Sequence, residues 1–149
     1  MARDAAGVAC YVDTSALIKR YVEESGSTEF DEFCDLPDID RVICPLGATE
    51  LTGVLQRRVR TGLLTRHQAN TLRQSFLSDI VGGGWQMIEF GPDVFSRANQ
   101  LMLHLGVPLA TLDALHLAAA LQHGSAEFAT ADRQLAIAAR KAKLRVHAF

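Results

Sequence analysis

Five short β-like runs alternate with stretches whose apolar residues recur at helical spacing, and this alternation leaves the chain few ways to fold. The runs are Val8 to Val12, Arg41 to Cys44, Trp85 to Phe90, Glu127 to Thr130 and Leu144 to His147. A helix between two strands carries the chain back to the edge where the first strand began, so the strands lie parallel and the helices cover both faces. The pattern predicts one α/β domain over residues 1–149. Its expected form is a three-layer sandwich, with a central, mainly parallel sheet of about five strands and about seven helices on its two faces.

Local signals mark most element ends. Asp13 ends the first run, and Thr14 or Ser15 is placed to cap a helix carrying Ala16, Leu17, Ile18, Tyr21 and Val22 until Ser25-Gly26 breaks it. Ser27 or Thr28 opens a second helix, which stops near Leu36-Pro37 because proline disfavours a helical residue before it. A helix from about Ala48 to Arg60 aligns Leu51, Val54, Leu55 and Val59, with Glu50 in its first turn. Thr65 and Gln68 form a capping-box pattern for a helix to about Ser78, and Gly82-Gly83-Gly84 reads as a loop. Pro92-Asp93 starts a helix ending at Gly106, Thr111 caps the helix Leu112 to Gln122, and Asp132 opens the helix Arg133 to Lys141.

Composition narrows the function classes. With 48% apolar and 21% charged residues the chain has the balance of an ordinary globular protein. A formal net charge of −2 argues against a broad basic face, so any nucleic-acid contact must be local. Met-Ala-Arg-Asp-Ala-Ala-Gly contains an acid and precedes only a short apolar run, which fits neither a secretion signal nor a membrane span. No membrane partner is expected, and the cytoplasm is the expected location. Cys10, Cys34 and Cys44 are odd in number and lack Cys-x-x-Cys spacing, which argues against a disulfide framework or a zinc site. Cys10 and Cys44 are expected as small buried core residues within strands.

Four acids stand where an apolar run gives way to a helix start: Asp13 in Tyr-Val-Asp-Thr-Ser, Glu50 in Ala-Thr-Glu-Leu, Asp113 in Thr-Leu-Asp-Ala-Leu-His and Asp132 in Ala-Thr-Ala-Asp-Arg. Singly, an acid such as Glu50 or Asp132 has a plain reading as a partner of a helix dipole, worth about 0.3–1 kcal/mol. Together they have another, since strand ends and helix starts of an open parallel sheet gather along one crevice. Two carboxylates about 5 Å apart repel by about 3 kcal/mol at an effective dielectric of 20, so protons or a metal must relieve the cluster. Mg2+ suits such oxygen ligands, with Mn2+ as a substitute, and a cation there suits phosphodiester hydrolysis.

Tyr-Val-Asp-Thr-Ser-Ala-Leu-Ile-Lys-Arg-Tyr, Thr-Glu-Leu, Asp-Ala-Leu-His-Leu-Ala-Ala-Ala and Phe-Ala-Thr-Ala-Asp-Arg-Gln-Leu resemble the PIN-domain nucleases over nearly the whole chain, and a compact chain of this length resembles their VapC-type toxins. The resemblance implies a metal-dependent endoribonuclease that cleaves RNA with metal-activated water, leaving a 5′-phosphate and a 3′-hydroxyl. It implies that Asp13, Glu50, Asp113 and Asp132 hold the metal, Asp13 and Asp113 most directly, while Thr14 or Ser15 and Thr130 orient carboxylates or water. It also implies a cognate antitoxin, a homodimer, and contact with DNA only through the antitoxin.

The remaining candidates have structural readings. His116 is expected as a packed or hydrogen-bonded histidine. Lys19, Arg20, Arg57, Arg58 and Arg60 could touch RNA phosphates, but a solvated helix face explains them as well. Phe30, Phe33, Trp85, Phe90 and Phe95 are expected in the core rather than stacked on bases. Leu17, Ile18, Tyr21 and Phe30 could leave a groove for an amphipathic antitoxin helix. A phosphoaspartate phosphatase is disfavoured because Ser15 stands where its general-acid aspartate belongs, and no Gly-x-x-x-x-Gly-Lys-Ser/Thr run supports a P-loop hydrolase. The alternative from another class is a catalytically silent PIN-fold module for RNA binding or assembly, since fold alone does not prove activity.

Overall fold

The computed structural model describes residues 7–149. Met1 to Ala6, most of the stretch read as neither signal nor span, lie outside the described residues. Strand β1 (Val8–Val12) runs into a one-turn helix α1 (Thr14–Leu17) and a 3₁₀ turn (Ile18–Arg20). Then follow α2 (Ser27–Cys34), β2 (Ile39–Ile43), α3 (Pro45–Arg60), α4 (Arg66–Val81) and β3 (Gln86–Met87). The rest comprises α5 (Asp93–His104), α6 (Thr111–His123), β4 (Glu127–Thr130), α7 (Arg133–Lys141) and β5 (Arg145–Ala148). The strands form one sheet in the order β3-β2-β1-β4-β5, and every pairing is parallel. This is the α/β architecture the strand–helix alternation predicts.

Alternation along β1 shows how the layers arise. Cys10 and Val12 face a core shared with Leu17, Phe30, Leu51, Phe76 and Trp85, whereas Tyr11 faces one shared with Val94, Leu117 and Leu135. Helices α1–α4 therefore cover one face and α5–α7 the other. Alanines 114, 118, 138 and 139 leave α6 and α7 little side chain to hold them off the sheet. Each fully buried leucine contributes about 1.5–3 kcal/mol of apolar transfer. Because β2 and β4 flank β1 on opposite sides, the crevice at the carboxyl ends of β1 and β4 is where such sheets bind ligands. Among the described residues, no helix is long and apolar enough to cross a membrane.

Several local expectations are corrected. Asp13 itself, not Thr14 or Ser15, is the N-cap of α1, accepting from the Ala16 N–H. Helix α3 begins at Pro45, whose missing N–H costs nothing at a first position, so Glu50 stands in the second turn and the helix-dipole reading loses force. Thr111 is the first residue of α6 rather than its cap; Ala110 holds that position without a side-chain bond. The third strand shrinks to Gln86–Met87 because its partner β2 stops at Ile43, and the last ladder bond is Ile88 N–H to the Ile43 carbonyl at 2.8 Å. The Thr65–Gln68 capping box forms as expected.

Phe30, Phe33 and Trp85 are buried, Phe30 stacking at 6.3 Å on Trp85, but Phe95 is 55% exposed and packs only edge-on against Phe90. Leu17, Ile18, Tyr21 and Phe30 form no open groove; all four are consumed by the core. Lys19 is not solvated either, since its stem is buried and its ammonium bonds Glu24 at 3.2 Å and the Ser25 carbonyl. Arg20 pairs with Asp31 and Arg58 with Glu24 on the surface.

Candidate active site

The end of β1 delivers Asp13 into the crevice almost fully buried, at 3% exposure. The Ser15 hydroxyl donates to both its carboxylate oxygens, at 2.8 and 3.0 Å, and the Ala16 N–H donates to Oδ1 at 3.2 Å. Ser15 Oγ in turn accepts from the Ala131 N–H at 2.9 Å and lies 3.2 Å from Thr130 Oγ1. Thr130 Oγ1 accepts the Asp132 N–H at 3.0 Å. Two hydroxyls thus lock the turn after β4 onto the carboxylate after β1. Burial still dominates and pushes the Asp13 carboxyl up to about 6, against the nearby His116 charge and the hydrogen bonds from Ser15, Ala16 and Thr130.

Thr14, the next residue, faces a different acid. Its hydroxyl donates to Glu50 Oε1 at 2.8 Å and lies 3.3 Å from His116 Nε2. His116 Nε2 also bonds Glu50 Oε1, and its Nδ1 lies 2.7 Å from the Tyr11 hydroxyl. That hydroxyl donates to Cys44 Sγ at 2.9 Å, so its oxygen is free to accept an Nδ1–H. Burial alone would lower the His116 pKa, but the bonds to Cys44 and Glu50 and the Asp13 charge push it up to about 9. Glu50 moves the opposite way: burial works against its charge, yet the His116 partner and Thr14 hold it below the usual carboxylate value. The two directions agree on an imidazolium–carboxylate pair.

Asp113, half-buried in the first turn of α6, is pushed up by burial and then by Asp132, with Glu50 adding to the effect and His116 opposing it. Asp132 caps α7, its Oδ1 accepting from Leu135 N–H at 2.8 Å, and keeps its other oxygen for a second partner. The fold therefore gathers the acids into one electrostatic neighbourhood from β1, α3, α6 and the β4–α7 turn. His116 is the packed, hydrogen-bonded histidine that the sequence predicts; what a lone histidine does not reveal is that its partner is Glu50. The signal was its place one turn after Asp113, on the face that enters the crevice.

The donor set is all carboxylate oxygen, and Asp13 and Asp113 carry charge that their surroundings do not fully offset, which fits a hard divalent cation. The acids form an open arrangement. Among the described residues, the group whose three or more ligand atoms all lie within 4.8 Å of one another is Cys10, Glu127 and His147, a different place. An open arrangement suits Mg2+, which keeps several waters and takes few carboxylates directly. A roomy groove of about 770 Å³ between α5 and α6 is lined by residues such as Ser96, Arg97 and His104 and contains none of the four acids, so volume does not mark the site.

The sequence model of the family described as PIN domain matches residues 10–141, a span that includes all four acids. The chain belongs to the PIN domain family. In solved structures this PIN domain is similar to VapBC2 from Rickettsia felis bound to a DNA fragment from their promoter, at 14% identity over 95% of this chain and 98% of that one, TM-score 0.67. It is similar to VapC20 of Mycobacterium tuberculosis, a sarcin–ricin loop cleaving toxin, at 16% identity over 87% and 94%, TM-score 0.67. FitAcB from Neisseria gonorrhoeae is similar at 19% identity over 92% and 95%, TM-score 0.65. At such identities the likeness is one of fold. No curated protein matches the chain in sequence.

Proposed function

We propose that this PIN domain is a metal-dependent endoribonuclease and the toxin of a toxin–antitoxin pair. The observation that carries the reading is the buried Asp13 carboxylate, raised to about 6 and tied through Ser15 and Thr130 to the turn that presents Asp132. A binding-only module has little use for so deeply buried a carboxylate, since its desolvation costs stability without a cation. Asp13 and Asp113 would hold the cation most directly, with Asp132 and Glu50 completing the acidic set. Mg2+, or Mn2+ in its place, supplies Lewis acidity toward phosphoryl oxygen and makes water more acidic.

The chain's own residues supply orientation. Ser15 and Thr130 fix Asp13, because each hydroxyl has its remaining bonds committed to the backbone of the β4–α7 turn. Thr14 and His116 hold Glu50 ionised and aimed, so Glu50 enters the site as a fixed negative charge that accepts a hydrogen bond from water rather than as a strong base. His116 acts through Glu50 and is a positioning residue.

The toxin reading draws on the fold shared with VapC20, with VapBC2 bound to promoter DNA and with FitAB bound to a DNA fragment. By that likeness the partners are an RNA substrate and a cognate antitoxin, the chain acts as a homodimer, DNA is reached through the antitoxin, and the pair works in the cytoplasm. The test compares cleavage of total cellular RNA by antitoxin-free wild type and Asp13→Asn, with Mg2+, Mn2+ and excess chelator, sequencing the fragment ends. Cuts that need metal and vanish in the variant support the nuclease. RNA retention without cuts under every condition supports the silent binding module instead.

A further inference from the structure

The geometry points to a second metal site, for a borderline-soft divalent cation of the zinc class, formed by Cys10 Sγ, the Glu127 carboxylate and the His147 imidazole on three adjacent strands. These ligand atoms all lie within 4.8 Å of one another, a spread that one ion with bonds of about 2.0–2.3 Å can close by small side-chain shifts. The sheet itself builds the cluster. Cys10 and Glu127 are partners across β1 and β4, and His147 stands two residues beyond Arg145, the Glu127 partner on β5. The two-residue period therefore sends all three side chains to one face. His147 Nε2 lies 2.6 Å from Glu127 Oε2, and Phe33 packs against its ring at 5.0 Å, so the imidazole is already aimed.

Charge supports the same reading. Cys10 is fully buried and Glu127 nearly so, while the His147 side chain, 23% exposed, leaves an approach from solvent. Burial, then the charges of Glu127 and Cys34, hold the Cys10 thiol protonated well above its ordinary range when no ion is present, and among the described residues it makes one hydrogen bond, a long 3.8 Å contact to the Tyr11 carbonyl. Among the described residues, Glu127 bonds the imidazole and lies 3.5 Å from the exposed Arg145. A divalent ion would displace the thiol proton to solvent, one per ion bound, leaving thiolate, carboxylate, neutral imidazole and M2+ with a net charge of zero. A neutral set suits a buried position, and a water fills the fourth place. Sulfur and imidazole donors favour zinc over magnesium. The site is separate from the four acids: the Asp13 partners are Ser15, Ala16 and Thr130, none of them in this cluster. Its consequence is a clip across β1, β4 and β5 that stabilises the folded state by binding it preferentially.

The full chain, stripped by chelator, is titrated with Co2+ as a spectroscopic stand-in and then with Zn2+ in competition. A thiolate-to-cobalt charge-transfer band is expected in wild type, displaced by about one equivalent of Zn2+ per chain. Asp13→Asn should retain the band. Cys10→Ser should lose it, and His147→Gln should weaken Zn2+ binding at least about 10-fold. His147 is partly exposed, so that variant keeps the test decisive even if Cys10→Ser fails to fold. No charge-transfer band in wild type, a band surviving in Cys10→Ser, or unchanged Zn2+ affinity in His147→Gln overturns the proposal.

Discussion

Asp13 and Glu50 border the same crevice, yet their surroundings move them in opposite directions. Asp13 is buried with hydroxyls and one N–H as partners, and burial pushes it up to about 6. Glu50 is only half-buried and already has an internal cation, so it is held below its ordinary value. A carboxylate with neutral partners is poised to gain from an outside cation, whereas one with a fixed imidazolium is not. In the proposed reading the comparison divides the acids by role: Asp13, together with Asp113, would take the metal, and Glu50 is kept charged whether or not metal is present.

The largest expected effect separates the two groups by activity. Asp13→Asn and Asp113→Asn should each reduce RNA cleavage to background, about 10³-fold or more, measured by single-turnover kinetics on a sequenced target. The folded metal-free protein should survive both changes. Unfolding of either variant in a thermal melt would make these acids structural.

Next in size is His116→Leu, which leaves Glu50 without its cation and removes one of the two partners of the Thr14 and Tyr11 hydroxyls. A loss of about 2–3 kcal/mol is expected in denaturant unfolding. Because folding raises the His116 pKa from 6.5 to about 9, its contribution is fully present below about pH 6.5 and is lost as pH rises through about 9. The stability difference between wild type and His116→Leu should therefore shrink over that window; a difference independent of pH would show packing alone.

Asp13 carries the opposite sign. Its folded pKa lies above the ordinary 3.8, so ionising it costs stability as pH rises from about 4 to about 6 in the absence of metal. Asp13→Asn should gain on wild type across that interval, by on the order of 2 kcal/mol, and added Mn2+ should erase the gain by stabilising only the wild type. The smallest effect belongs to Ser15→Ala, which loosens Asp13 without removing it. About a 10-fold loss of metal affinity or cleavage is expected, and an unchanged rate would show that Asp13 needs no orienting hydroxyl.

Much of this was legible in the sequence, for physical reasons. Strand–helix alternation dictates a parallel sheet, and Val8 to Val12, Glu127 to Thr130 and the helix after Asp132 appear where the pattern puts them. The acids stand out in the sequence because a carboxylate ending an apolar run has no packing purpose, while their hold on a metal is part of the proposal. Element ends set by tertiary partners were less legible: β3 is cut short by the end of β2, and Glu50 moves to a second turn because Pro45 starts its helix. Partners brought together across the sheet were not legible at all. Neither the Glu50–His116 pair, 66 residues apart, nor the cluster of Cys10, Glu127 and His147 leaves a spacing in the chain, because the first joins side chains of α3 and α6 and the second depends on strand register. The absence of Cys-x-x-Cys spacing speaks only to sites built on one loop.

The division of roles is tested most directly by Mn2+ binding to the RNA-free protein, followed through the paramagnetic resonance signal of free Mn2+, in wild type, Asp13→Asn, Asp113→Asn and Glu50→Gln. Binding is expected in wild type, abolished in both aspartate variants and retained, though weaker, in Glu50→Gln. Equal binding by all four chains would contradict the assignment of the cation to Asp13 and Asp113.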